Sequence, residues 1–132
     1  MIKEMSHSAE IRVRFYELDP YNHVNHTNYL AYFETARVEY LNEVGLGMDV
    51  MKDHGYQIVV VELTAKFLAA AGLGDVLNVT TNVIEVGRVT STWGQVMTRG
   101  DETIATLEVK AAITDLAGRP RRVPEEFAAA FA

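Results

Sequence analysis

Asp19-Pro20-Tyr21-Asn22-His23-Val24-Asn25-His26-Thr27-Asn28-Tyr29 decides how the rest of this chain is read. The stretch closes a strand-like segment, gathers one carboxylate and two histidines into a polar turn, and opens an amphipathic helix. Asn25 offers the side-chain oxygen of an N-cap, which places the N–H of His26 at the first helical position with no partner inside the helix. A carboxylate beside such a helix start suits a substrate carbonyl. The free amide and the positive end of the helix dipole polarise the oxygen, and the carboxylate attacks the carbon or activates water against it. Asp19 is therefore the candidate catalytic group, although an Asp before a helix also serves plainly as an Asx-turn or dipole partner. His23 either orients Asp19 or only caps and packs.

Outward from this turn the periods are clear. Residues 10–16 alternate, with Ile11, Val13 and Phe15 on one face, and predict a half-buried strand. From about His26 to Val44, Tyr29, Phe33, Ala36, Tyr40 and Val44 recur at helical steps, and Gly45 and Gly47 end the helix. Met48 to His54 adds one further turn or two. Gln57 to Phe67 opens with the apolar run Ile58 to Val61, which reads as a strand buried on both faces at one end. Asp75 to Val86, Val89 to Thr98 and Thr103 to Thr114 are three more strands, joined by connections short enough for hairpins at Gly87-Arg88 and Arg99 to Glu102. In the last strand Ala105, Leu107, Val109, Ala111 and Ile113 point inward, while Glu108 and Lys110 point out. Pro124 stands at the first position of a small terminal helix. One long helix can cover only one face of such a sheet, so the class is α+β.

The 132 residues read as a single domain, 1–132, with 48% hydrophobic residues to fill a core. No run approaches the ~18 apolar residues of a membrane span, and the polar start lacks the apolar segment of a secretory signal. With no cysteine, disulfides, thiolate metal sites and a Cys nucleophile are excluded, and a cytoplasmic location fits. The net charge of −6 argues against nucleic acid and leaves an anionic ligand to local basic groups. Arg119, Arg121 and Arg122 form the dense cluster, which taken alone reads equally as a solvated tail. Asp19, His23 and His26 are metal-ligand types, but their spacing on a turn fixes no common face, so no metal is expected. No G-x-S-x-G is present. Tyr29, at the first buried turn of the helix, is more often core than substrate contact.

The segment from Val13 to Arg37, with Asp19-x-x-x-His23-Val24-Asn25-x-x-Tyr29 and then Tyr29-Leu30-x-x-Phe33-Glu34-x-Ala36-Arg37, closely resembles the 4-hydroxybenzoyl-CoA thioesterase family of hotdog-fold acyl-CoA thioesterases. Gly74-Asp75 and Glu85-Val86-Gly87-Arg88 are weaker echoes at the expected places, so the resemblance spans about residues 10–125. It implies a five-stranded antiparallel sheet wrapped around one long helix, paired through edge strands into a homodimer and often a homotetramer. It implies Asp19 as the catalytic carboxylate, as nucleophile or general base, and the His26 amide as the group that polarises the thioester carbonyl. His23 and Asn25 would shape the loop. The resemblance also implies an acyl-CoA substrate bound at the dimer interface, and no cofactor, membrane or nucleic-acid partner is expected. Arg88, Arg119, Arg121 and Arg122 are candidates for the CoA phosphates. Tyr16, Tyr29, Tyr32, Phe33, Val59 and Val60 are candidate walls of the acyl pocket. Fatty, aromatic and short branched acyl groups, and an acyl-carrier-protein thioester, are all open. A non-hydrolytic acyl-CoA binding module is disfavoured because Asp19 is present, and a hotdog hydratase or dehydratase is left faintly open by His23.

Overall fold

The computed structural model describes residues 6–132. Five strands, β1 (Ser6–Arg12), β2 (Tyr56–Phe67), β3 (Val76–Val86), β4 (Thr90–Arg99) and β5 (Glu102–Asp115), form one antiparallel sheet in the order β1-β3-β4-β5-β2. The long helix α1 (His26–Glu43) lies against β1 and β3; a short α2 (Met48–Asp53) leads into β2, and α3 (Glu125–Ala130) closes the chain. Among the described residues no helix is long and apolar enough to cross a membrane.

The helical face read from the spacing is the buried one. Tyr29, Phe33, Ala36 and Tyr40 face the sheet, joined by Tyr32 and Leu41, while Val44 is only half-buried. Opposite them stand Leu77, Val79, Trp93, Met97 and the inward-facing residues of β5. Gly45 ends α1 at φ 81°, a left-handed conformation that glycine adopts without steric cost. The β4–β5 hairpin turns through Gly100 and Asp101, with Gly100 at φ 58°. Beneath α1 one polar group is buried deliberately: Gln95 donates to the Phe33 carbonyl and to Thr81 Oγ1, both at 2.9 Å, and accepts from Arg37 Nη1 at 2.9 Å. Burial lowers the Arg37 pKa from its ordinary value, because the charged guanidinium has lost much of its water.

Three expectations are corrected. The first strand stops at Arg12 and the chain turns through a 3-10 segment, Phe15–Glu17, so Phe15 is 75% exposed rather than inward. The alternation was sound to Val13, but Val13 N–H already bonds Asp75 at the sheet margin, beyond which no strand extends the ladder. Pro124 is the N-cap of α3 rather than its first residue. The third concerns β2. It is an edge strand, and its run Val59, Val60 and Val61 is 40%, 44% and 56% exposed in the single chain. Val60, Leu63 and Phe67 pair with the inward-facing Ala111, Val109 and Ala105, so they point to the helical side of the sheet. They are exposed there because α1 lies over the opposite margin of the sheet, against β1 and β3.

Candidate active site

The Asp19 turn is built by its own sequence. Asp19 O accepts the Asn22 N–H at 3.0 Å, closing a four-residue turn with Pro20 at the position that favours a fixed φ. Asn22 then takes φ 62°, a conformation that asparagine tolerates better than most residues, and the chain returns so that Asp19 N–H reaches His23 O at 2.7 Å. The Asp19 side chain joins in: Oδ1 accepts from Tyr21 N at 2.9 Å and from His23 N at 3.1 Å. The Asx-turn role is therefore real, but it occupies one oxygen. Among the described residues, Oδ2 has no protein partner.

Asn25 caps α1 as expected, its Oδ1 accepting from Thr27 N at 3.0 Å and Thr27 Oγ1 at 2.8 Å. Asn28 N–H returns to Asn25 O at 2.8 Å, whereas no acceptor for the His26 N–H exists among the described residues. Asp19, His23, Val24, His26 and Tyr29 line one open depression with Phe67, Leu68, Ala69 and Ala70. Asp19, a half-buried residue, and His26, at the helix start, thus line the same cavity. The His23 ring forms no hydrogen bond among the described residues; the main-chain N–H of His23 is what fixes Asp19.

The far wall of the depression, Leu68 to Ala70, and the two residues that follow it are clamped from both sides. On the helix side Ala71 N–H donates to Tyr29 Oη at 2.9 Å and Val24 N–H to Ala71 O at 2.8 Å. On the sheet side Gly72 N–H donates to Asp75 Oδ2 at 2.9 Å, and Arg99 Nη1 reaches Asp75 Oδ2 at 2.6 Å and Ala70 O at 3.1 Å. The Gly72 amide and then the Arg99 guanidinium hold the Asp75 carboxyl below the usual carboxylate range. Tyr29 is 4% exposed with its hydroxyl engaged, which makes it a brace of the site wall more than a free contact surface.

The main chain at Arg88 pairs with the segment that carries Arg121, and neither residue lines this cavity. Arg88 O accepts the Val123 N–H at 2.7 Å, and Arg121 lies over the Tyr56 ring at 5.4 Å. Burial and then Glu126 raise the Tyr56 hydroxyl to about 12. Tyr56 begins β2 and Phe67 ends it, so eleven steps of extended chain, about 36 Å at about 3.3 Å each, separate the two ends. Val60 lies between them in the groove flanked by Leu30, Ala31 and Glu34 of α1. Sequence reasoning gave Glu17, Asn28 and Asp75 no role at the site. The contacts of Glu17 with Tyr32, of Asn28 with Glu17 and of Asp75 with Arg99 span 15, 11 and 24 residues, and only the Gly74-Asp75 pair carried a local signal.

Comparison with known proteins identifies the family of the chain. The family model described as the thioesterase-like superfamily matches residues 13–131. An acyl-CoA thioesterase YbgC of Haemophilus influenzae is 33% identical over 126 residues, covering 94% of this chain and 93% of that one. The long-chain acyl-CoA thioesterase FadM of Escherichia coli is 34% identical over 90 residues, covering 68% and 67%. Among solved structures, a hypothetical protein of Aquifex aeolicus superposes with a TM-score of 0.91 at 28% identity, over 96% of this chain and 99% of that one.

Proposed function

The chain belongs to the thioesterase-like superfamily, with the hotdog fold and thioester hydrolysis that go with it, and we propose that it hydrolyses acyl-CoA thioesters with Asp19 as the reacting carboxylate. One observation carries this reading: Asp19, one of whose oxygens has no protein partner among the described residues, lines the same cavity as His26, whose amide at the helix start has no acceptor among them. A thioester carbonyl oxygen seated on the His26 N–H would gain a preorganised donor where its negative charge develops. Oδ2 then either attacks the carbonyl carbon, expelling CoA as thiolate and leaving a mixed anhydride for water to open, or takes a proton from the water that attacks. Both routes give free acid and CoA. Asn25 and the main chain of His23 hold the two partners in register. The motif from Asp19 to Arg37 supports the narrower placement among 4-hydroxybenzoyl-CoA thioesterases.

The functional unit we propose is at least a homodimer joined through β2. Its unpaired edge and the exposed Val59, Val60, Val61 and Leu63 are a liability that a second copy would cover. Two antiparallel copies of this edge, related by a two-fold axis, set the Tyr56 end of one against the Phe67 end of the other. Arg88 and Arg121 of one subunit would then serve the Asp19 site of its partner, which reconciles an acidic chain with the phosphates of CoA. The lack of cysteine supports work in the cytoplasm. The test is release of free thiol from a panel of acyl-CoAs. Turnover of at least one is expected; a panel in which acyl chains are altered with no thiol released would overturn the proposal in favour of a hydratase.

A further inference from the structure

The segment that carries Asp19 is anchored by the buried Val13 and Val24 on either side and by the partly buried Leu18, while its other apolar side chains lie outside. Upstream of it Phe15 and Tyr16 are 75% and 66% exposed, packed only edge-on against each other at 5.5 Å. A carboxylate adds a polar tie between this segment and α1. The Glu17 side chain is 12% exposed; its Oε1 accepts from Tyr32 Oη at 2.7 Å and from Arg14 N at 2.8 Å. Its Oε2 stands 3.6 Å from Arg14 Nη1. The Glu17 carbonyl accepts twice more, from Asn25 N and Asn28 Nδ2, both at 2.9 Å. Tyr32, Asn28 and the cap residue Asn25 all belong to α1 or its start, the element whose first amide is the proposed oxyanion donor.

Burying a carboxylate is a poor way to stabilise a fold, since the lost hydration offsets most of what its partners return. Its return is orientation. Tyr32 is 3% exposed and fixed in the core, so its hydroxyl is a rigid reference point on the helix. The charge-assisted bond sets the height of the Glu17–Asp19 segment above the helix start. Proximity catalysis is sensitive to this, because a displacement of about 1 Å between reacting groups costs about 100-fold.

We infer that Glu17 is a positioning residue for hydrolysis, locking the Asp19 carboxylate against the His26 amide through the hydroxyl of Tyr32. The inference rests on the proposed role of Asp19. Glu17→Ala should lower kcat about 10- to 100-fold with KM nearly unchanged. Tyr32→Phe, which keeps the ring, should lower kcat about 3- to 10-fold. The double variant should be no slower than Glu17→Ala alone, because both remove one link. Glu17→Gln keeps an acceptor for both donors and should recover most of kcat. All rates are referred to folded protein measured by circular dichroism, and Tyr32→Phe with Glu17→Gln carries the test if Glu17→Ala does not fold. Losses that multiply, a change in KM alone, or a glutamine variant as slow as the alanine variant would overturn the inference. Asp19→Asn separates the two claims: if it abolishes turnover while Glu17→Ala and Tyr32→Phe do not slow it, only the positioning role falls.

Discussion

Asp19→Asn is the sharpest perturbation available. The amide keeps one carbonyl oxygen, and that oxygen can retain both bonds that Oδ1 now accepts, from Tyr21 N at 2.9 Å and His23 N at 3.1 Å. The turn therefore loses only the charge-assisted part of two hydrogen bonds, about 1 kcal/mol in total. For a domain of this size that is a Tm decrease of roughly 3–5 °C. The other oxygen becomes an NH2 group, which can neither attack a thioester nor accept a proton from water. Loss of a base or nucleophile at this point should reduce kcat by about 10²- to 10⁴-fold, equivalent to about 3–5 kcal/mol of transition-state stabilisation. The assay is thiol release from the best acyl-CoA of the panel, with thermal melts on the same preparation. Rates within about threefold of wild type, at unchanged KM, would refute the reasoning, because an amide cannot replace a reacting carboxylate. Asp19→Ala, by contrast, leaves the Tyr21 and His23 amides without an acceptor and should lower Tm further.

Other outcomes follow from the same contacts. Val60→Lys puts a charge on the exposed face of β2 and should shift the species seen by sedimentation to monomer, with loss of turnover; an unchanged mass would disprove pairing through that edge. Arg88→Ala and Arg121→Ala should each raise KM for CoA esters by about 10-fold, the scale of about 1.4 kcal/mol, and leave pantetheine esters unaffected; equal effects on both substrates would remove these residues from the phosphate site. Tyr29→Phe deletes the acceptor of the buried Ala71 N–H and should cost about 1–3 kcal/mol in urea unfolding, with faster exchange of that amide. Asp75 has a folded-state pKa below its unfolded value, so its contribution to stability is complete above about pH 4 and fades as pH falls through the depressed value. The stability difference between wild type and Asp75→Asn should therefore shrink on acidification; a difference that is constant from neutral pH to pH ~3 would exclude this linkage.

The helix and the hairpins were legible because they depend on neighbours in the chain. Asn25 reaches Thr27 two residues on, Gly45 supplies the positive φ that ends α1, and Asp19, Pro20 and Asn22 close their own turn. A period of four and three marks one face whatever lies opposite, so Tyr29, Phe33, Ala36 and Tyr40 were readable as core. The apolar run Ile58 to Val61 was misleading for the opposite reason: hydrophobicity does not record whether a strand lies inside the sheet or at its edge. Phe15 continued an alternation that the backbone abandons two residues earlier.

The sequence by itself determined the carboxylate turn, the capped helix behind it and the strands that follow, since each is written in contacts a few residues long. Only the tertiary structure decided that β2 lies at an edge of the sheet, that Arg88 and Arg121 stand at the far end of it from Asp19, that Glu17 meets Tyr32 and that Asp75 meets Arg99. Those facts depend on pairs separated by 15 or more residues, such as Glu17 with Tyr32 and Asp75 with Arg99. Local propensity carries no record of such pairs; they exist only once the sheet order has set which surfaces meet.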